Sequence, residues 1–74
     1  MQPREKAVRM TDDELKPYVG SLVVVKFVGG HEAFGKLVDD APLPDVRYAI
    51  ERDQGTSWIG IPDAAALEWL RPFS

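Results

Sequence analysis

Leu22-Val-Val-Val-Lys-Phe-Val28 is the stretch that decides the fold class. Its density of β-branched and aromatic residues is typical of a β-strand. Alternation along a strand puts Val23, Val25 and Phe27 on one face. The opposite face is also apolar, except at Lys26, so it is poorly suited to open water. We therefore predict a strand that is at least partly covered on both sides.

Glycines around this strand predict where the chain turns and bends. Gly29 and Gly30 supply the positive φ that a tight hairpin needs, and a second strand returns over Glu32–Asp39. Gly35 interrupts that strand. A glycine inside a strand typically marks a bulge or a sharp bend where another backbone approaches closely. Bends of this kind allow a small sheet to curl.

Three further strands are predicted downstream of this hairpin. Alternation predicts a half-buried strand over Val46–Glu51, and Gly55 is the expected positive-φ residue of the turn that follows. Ser57–Ile61 and Leu67–Arg71 are the predicted fourth and fifth strands. A helical turn at Ala64–Ala66 separates them.

A short helix is predicted ahead of the strands. Thr11 and Glu14 have the spacing of a capping box, in which each side chain satisfies a backbone donor at the start of a helix. Pro17 restricts the helix to a turn or two. Leu15, Tyr18 and Val19 share one face and are expected to cover one end of the core. A short helix followed by five short strands predicts a mainly β fold, a small barrel.

The glycine and aliphatic positions of the first half carry a resemblance. The run Gly20-x-x-Val23-x-Val25-x-Phe27-x-Gly29-Gly30, followed by Gly35-x-Leu37-x-x-Asp40, resembles the first half of the Sm-like fold. The region of Trp58–Ile61 and Leu67–Leu70 is loosely similar to the second half. The C-terminal domain of the bacterial ribosome maturation factor, also Sm-like, is about equally similar. The resemblance implies a five-stranded, strongly bent barrel of the SH3/Sm-like kind.

RNA binding does not carry over with this resemblance. The resemblance implies two RNA-contacting positions in Sm-like RNA binders: a polar residue after the aspartate of the second strand, and a basic residue before a glycine near the fourth strand. Here Ala41–Pro44 follows Asp40, and Ile59 precedes Gly60. Neither RNA-contacting position is filled.

Charge is distributed unevenly along the chain. Residues 1–10 carry three basic and one acidic side chain and are expected to form a flexible basic arm. Residues 11–74, the predicted single barrel domain, carry six basic and eleven acidic side chains, a net charge of −5. Because nucleic-acid affinity comes largely from Lys and Arg contacts with phosphate, the acidic barrel disfavours a nucleic-acid partner.

Composition limits the class of protein further. The chain has no cysteine, which excludes disulfides and thiolate zinc sites. The longest apolar run, Leu22–Val25, is far shorter than the roughly 20 residues that span a bilayer. We expect a cytoplasmic protein without membrane association.

No catalytic site, metal site or cofactor site is predicted. His31 is the only histidine and lies beside Glu32 at a hairpin tip, where an exposed structural role is expected. Asp39, Asp40 and Asp45 lie on a loop, and their spacing fits no calcium-binding loop. We therefore expect a protein that is not an enzyme.

The aromatic residues supply the candidate binding positions. Phe27, Tyr48 and Trp69 fit the inward alternation and are expected in the core or an interface, whereas Phe34 and Trp58 fall outside it. The candidate ligand contacts are Phe34, Asp40 and Trp58. The candidate subunit interface comprises five residues of the last two strands: Trp58, Ile59, Ile61, Leu67 and Trp69.

Three functions remain open from the sequence. The first is a non-catalytic binding or scaffolding module that forms a homo-oligomer through its strand edges. The second is a monomeric SH3-like adaptor that binds a protein partner. The third is an RNA-binding regulator that uses the basic arm, residues 1–10.

Overall fold

Five strands and four short helical segments make up the chain over residues 10–73, the part that the computed structural model describes. The strands are β1 (Leu22–Phe27), β2 (Glu32–Val38), β3 (Tyr48–Arg52), β4 (Ser57–Ile61) and β5 (Leu67–Pro72). Helix α1 (Asp12–Leu15) precedes them, and 3-10 segments cover Lys16–Tyr18, Asp53–Gly55 and Ala64–Ala66. The predicted mainly β fold with a short N-terminal helix is confirmed. The predicted basic arm lies outside the described residues, apart from Met10.

Thr11 is the N-cap residue of α1, as the sequence predicts. The Oε1 atom of Glu14 accepts the backbone N–H of Thr11 at 2.8 Å and the Thr11 hydroxyl at 3.2 Å. Leu15 is fully buried, and Tyr18 and Val19 pack against the core from the 3-10 segment and the residue after it. The predicted apolar face therefore covers the core.

All four strand pairings are antiparallel, and the strand order is β4-β3-β2-β1-β5. β4 and β5 are consequently the two edge strands. Over residues 10–73 they do not pair with each other, so the sheet is not closed.

β2 connects the two halves of this sheet. Its residues Glu32–Lys36 pair with β1, whereas Lys36–Val38 pair with β3. Gly35 lies at the changeover. A Cβ atom at this position would lie 2.5 Å from the carbonyl oxygen of Glu51 and 2.6 Å from Cγ2 of Ile50. The close backbone approach predicted at Gly35 is therefore confirmed.

The core lies against one face of the sheet, which we call the core face. Val23, Val25 and Phe27 of β1 are buried there, as alternation predicts. We call the opposite face, which carries Leu22, the outer face. The other buried members of the core come from α1, the remaining strands and the last 3-10 segment: Leu15, Ala33, Leu37, Tyr48, Ile50, Ile61, Ala64 and Leu67.

The β1–β2 hairpin needs one positive-φ glycine and not two. Gly30 has φ +105°, whereas Gly29 is not in the left-handed region. The N–H of Gly30 bonds to the carbonyl of Phe27 at 2.8 Å, and the N–H of Phe27 bonds to the carbonyl of His31 at 2.8 Å. These bonds close a three-residue loop, in which only the last residue has to be left-handed.

The loop before β3 covers part of the outer face. β3 begins at Tyr48, two residues later than predicted, and Ala49 is fully buried although alternation placed it on the exposed side. A side chain at Gly60, which is paired with Ala49, would lie 2.8 Å from Cγ1 of Val46 and 3.7 Å from Cδ1 of Leu43. The loop therefore packs over this end of the sheet, which explains the burial of Ala49.

A β-bulge in β5 reverses the predicted facing of Trp69. Lys26 is paired with Trp69 but Phe27 with Leu67, which leaves Glu68 as the extra residue. Trp69 therefore shares the outer face with Lys26, and the prediction that it follows the inward alternation of Leu67 is wrong. Leu70 occupies the inward position instead and packs against the core.

Gly35→Val tests the close approach of β2 to β3. We expect the free energy of unfolding to fall by about 3 kcal/mol or more, because the new side chain would overlap the backbone of Glu51 and the side chain of Ile50. Gly55→Ala is the matched variant. Gly55 has φ +88°, and a Cβ there would make only ordinary van der Waals contact with the carboxylate of Glu51, so backbone strain should cost about 1 kcal/mol. Urea denaturation followed by tryptophan fluorescence measures both, and equal losses would contradict the close approach.

Candidate functional site

The three candidate ligand contacts do not form one site. Phe34 lies on the outer face of β2 and is 45% exposed. Asp40 lies in the exposed loop after β2. Trp58 is half-buried on β4, where it is paired with Glu51. Of the three, only Phe34 lines the groove described next.

A groove with a volume of about 390 Å³ lies beside Phe34, between β2 and the β3–β4 turn. We call it the β2 groove. Its volume falls within the range of about 300–1,000 Å³ that is usual for ligand sites. Its lining combines apolar residues of β1 and β2 with charged and polar residues of β2, β3 and the turn: Leu22, Phe34, Gly35, Lys36, Glu51, Arg52, Asp53, Gln54 and Gly55. From the sequence, only Phe34 was predicted to contact a ligand.

Exposed apolar side chains gather at the open side of this groove. Leu22 is 51% exposed and Phe73 is 52% exposed. The rings of Phe34 and Phe73 are in contact, with their centroids 4.3 Å apart. Across residues 10–73, the remaining large exposed apolar side chain is Val28, at the hairpin. These neighbouring exposed apolar side chains make the β2 groove the candidate interaction site within the described residues.

The β3–β4 turn forms the opposite wall of the groove in an unusual backbone conformation. Asp53, Gln54 and Gly55 have φ values of 53°, 59° and 88°. Thr56 fixes the turn, because its hydroxyl donates to the carbonyl of Asp53 at 2.8 Å. The sequence predicted positive φ at Gly55 alone. Asp tolerates the left-handed region better than most residues, but nothing local indicates it for Gln54.

The hydrogen bonds at the two ends of the β1–β2 ladder fix the backbone directions along β2. Phe27 donates to the carbonyl of His31 at 2.8 Å, and Leu37 donates to the carbonyl of Ser21 at 3.0 Å. Because these directions alternate along an antiparallel strand, the odd-numbered residues of β2 bond to β1. The even-numbered residues point away from β1.

Phe34 is one of these even-numbered residues, and its backbone faces the groove. Lys36, the next such residue, is paired with Glu51 of β3, and the β2–β3 pairing ends there. Between residues 10 and 73 no strand lies opposite Phe34, and no backbone hydrogen bond links it to the turn. Its N–H and C=O are therefore available to a ligand.

The five candidate interface residues fall into two groups. Ile61 and Leu67 are fully buried in the core of the chain, so their side chains are not accessible to a second subunit. Trp58, Ile59 and Trp69 are half-buried and keep part of their side chains accessible. The guanidinium of Arg71 lies 5.4 Å from the centre of the Trp69 ring, a cation–π contact that covers one side of it.

The polar residues examined for catalysis or metal binding are dispersed. The exposed His31 stacks on Phe27, with ring centroids 4.6 Å apart and the planes 13° from parallel. Asp39, Asp40 and Asp45 are exposed. In the described part of the chain, no three acidic or histidine side chains are placed to hold a metal ion.

Comparison with models of protein families, with curated proteins and with solved structures found no match. Over residues 10–73, the structure contains no helix with the length and apolar character needed to cross a membrane.

Tyr48 provides a test of core burial by pH. Burial, and after it the negative charge of Asp12, raises the pKa of Tyr48 above its usual value, which is about 10. The unfolded chain therefore ionises first, so this residue leaves the free energy of unfolding unchanged below about pH 10 and lowers it above that. Tyr48→Phe should therefore remove part of the alkaline decline of the unfolding free energy measured by urea denaturation. An unchanged decline in Tyr48→Phe would contradict this assignment.

Proposed function

We propose that this protein is a non-catalytic binding or scaffolding module with a barrel of the SH3/Sm-like kind, and that it self-assembles through β4 and β5. The observation that carries the proposal is the position of these two strands at the open edges of the sheet. In the Sm-like family that the sequence resembles, the same two strands join neighbouring subunits.

β4 is an edge strand without charged residues. The backbone N–H and C=O of Glu51 point toward β2. Because these directions alternate along a strand, the backbone groups of Ile50 point toward β4, where Ile50 and Ile59 form a hydrogen-bonded pair. The N–H and C=O groups of Trp58 and Gly60 therefore point outward. Edge strands are usually protected by charge, proline or a covering segment. None of the five residues of Ser57–Ile61 is charged or proline, which favours pairing with another chain.

β5 offers a shorter free edge. The backbone N–H of Phe73 donates to the carbonyl of Leu22 at 3.0 Å, so it points toward β1. Because backbone directions alternate along a strand, the N–H and C=O of Leu70 point away from β1. At one end the N–H of Met10 bonds to the carbonyl of Leu67 at 3.1 Å, and at the other Pro72 has no N–H to donate. The middle of β5 is therefore the part that supports pairing with β4 of a second copy. A small core gains stability from such an association.

The β2 groove supports the second candidate, a monomeric SH3-like adaptor. Its volume and exposed apolar side chains suit a protein ligand, and they do not require assembly. An RNA-binding regulator remains the third candidate, through residues 1–10.

Trp58→Pro and Ile59→Pro separate assembly from folding. The N–H of Trp58 points outward, so proline there should block edge pairing and leave the β3–β4 ladder in place, whereas proline at Ile59 removes a ladder donor and should unfold β4. Light scattering coupled to size exclusion should show an oligomer for the unmodified chain and a folded, smaller species for Trp58→Pro. If the chain without substitutions has the monomer mass of 8.3 kDa at micromolar concentrations, self-assembly is refuted and the monomeric adaptor is favoured.

Uridine-rich single-stranded RNA should bind weakly to the full chain at an ionic strength of about 0.15 M. The reason is the net charge of −5 over residues 11–74 and the absence of both RNA-contacting residues. Fluorescence anisotropy with labelled RNA measures this, with a chain that lacks residues 1–10 as the control. Tight binding that is lost with residues 1–10 would favour the RNA-binding regulator.

A further inference from the structure

We infer that the β2 groove binds an extended peptide segment of a protein partner, added as a short strand beside Phe34 with one large apolar side chain against Leu22 and Phe34. This inference specifies the ligand class of the binding role proposed above and rests on that role. It does not depend on self-assembly.

The backbone of Phe34 is suited to pairing with a peptide ligand. It presents a donor and an acceptor to the groove, and within residues 10–73 no strand is placed to pair with them. An extended peptide supplies the complementary C=O and N–H at the same spacing. The opening exists because β3 ends at Arg52 and the chain turns there, so the pairing of β2 with β3 stops at Lys36.

The apolar lining calls for a large apolar side chain in that peptide. Leu22 and Phe34 are each about half exposed although both line a concave site. Successive side chains of an extended peptide point to opposite sides. A residue whose side chain enters the groove would therefore be flanked by residues whose side chains point away from Leu22 and Phe34.

The charges at the groove favour a peptide over a nucleic acid. Lys36 and Arg52 line it together with Glu51 and Asp53, and none of the four forms an ion pair within the described residues. Two carboxylates would repel a phosphate backbone, whereas a peptide can carry side chains of both signs.

The same four charges argue against a second copy of this chain as the occupant. The longer free edge of a second copy is β4, which carries no charge and would leave the charges of the groove unmatched.

The wall opposite Phe34 is held in a strained conformation. Asp53 and Gln54 adopt positive φ without being glycine, and backbone strain of this kind is concentrated at ligand clamps and active sites. The hydrogen bond from the Thr56 hydroxyl to the Asp53 carbonyl keeps the wall in place before a ligand arrives. A preformed wall reduces the entropy lost on binding.

Selection from a displayed library of random linear peptides against the full chain tests the inference. One synthetic peptide from the enriched set is then titrated into isotope-labelled protein. We expect enriched peptides to share a large apolar residue, the amide signals of Phe34 and Leu22 to shift, and exchange of the Phe34 amide with solvent to slow. Methylation of alternate peptide nitrogens should weaken binding about tenfold or more at positions that pair with Phe34, and little at the intervening ones.

Phe34→Ser and Val28→Ser form the matched control pair. Both replace an exposed apolar residue, but Val28 lies outside the groove. Phe34→Ser should weaken binding of the synthetic peptide about tenfold or more, whereas Val28→Ser should change it less than about twofold. Circular dichroism checks that both variants are folded.

Several outcomes would overturn the inference. These are a library without enriched peptides, peptide shifts that map away from Phe34, or equal tolerance of every methylated nitrogen. Single-stranded RNA that shifts Phe34 when peptides do not would identify a nucleic-acid site instead. Protection of the Phe34 amide that rises with protein concentration alone would identify a second copy. Peptide binding by monomeric Trp58→Pro would support the groove even where self-assembly fails.

Discussion

The approach of β3 to β2 at Gly35 governs the shape of the sheet. Only a hydrogen atom fits between the Gly35 α-carbon and the carbonyl of Glu51. With glycine at this position, β2 can pair with β1 along its first part and with β3 along its last part. β3 ends one residue beyond Glu51, at Arg52, so the first half of β2 has no paired strand on that side within residues 10–73. The opening beside Phe34 lies next to this contact, and Gly35 itself lines it, so the close packing of β3 on β2 forms one border of the candidate site.

The net charge of the chain describes its groove poorly. Six of the eleven acidic residues of the region 11–74 lie in or beside α1 and in the loop before β3: Asp12, Asp13, Glu14, Asp39, Asp40 and Asp45. Asp12 forms an ion pair with Arg47 at 2.9 Å, which ties the helix to the start of β3. The β2 groove itself carries two charges of each sign. Arguments from overall charge consequently apply to long-range attraction and much less to recognition in the groove.

Local pattern was enough to predict the strands and the helix start, because each depends on residues close in the chain, and a glycine inside a strand was enough to indicate the close approach at Gly35. It failed where the answer depends on a partner distant in sequence. Trp69 faces outward because of the bulge opposite Lys26 and Phe27, and Ala49 is buried because a loop lies over it. Phe34 was predicted as a ligand contact from its side chain alone. Its unpaired backbone depends on where the β2–β3 pairing ends, which no local pattern indicates.

The arrangement of β5 has a consequence for folding and solubility. β1 to β4 pair in chain order through successive hairpins, whereas β5 must return across the whole sheet to β1. Distant pairings form late, since closing a long loop costs entropy before contacts compensate for it. Until β5 arrives, one side of Leu22–Phe27 is open. That segment is rich in β-branched residues and nearly uncharged, a composition that favours amyloid-like stacking. Pairing with β5 therefore also protects the chain against aggregation.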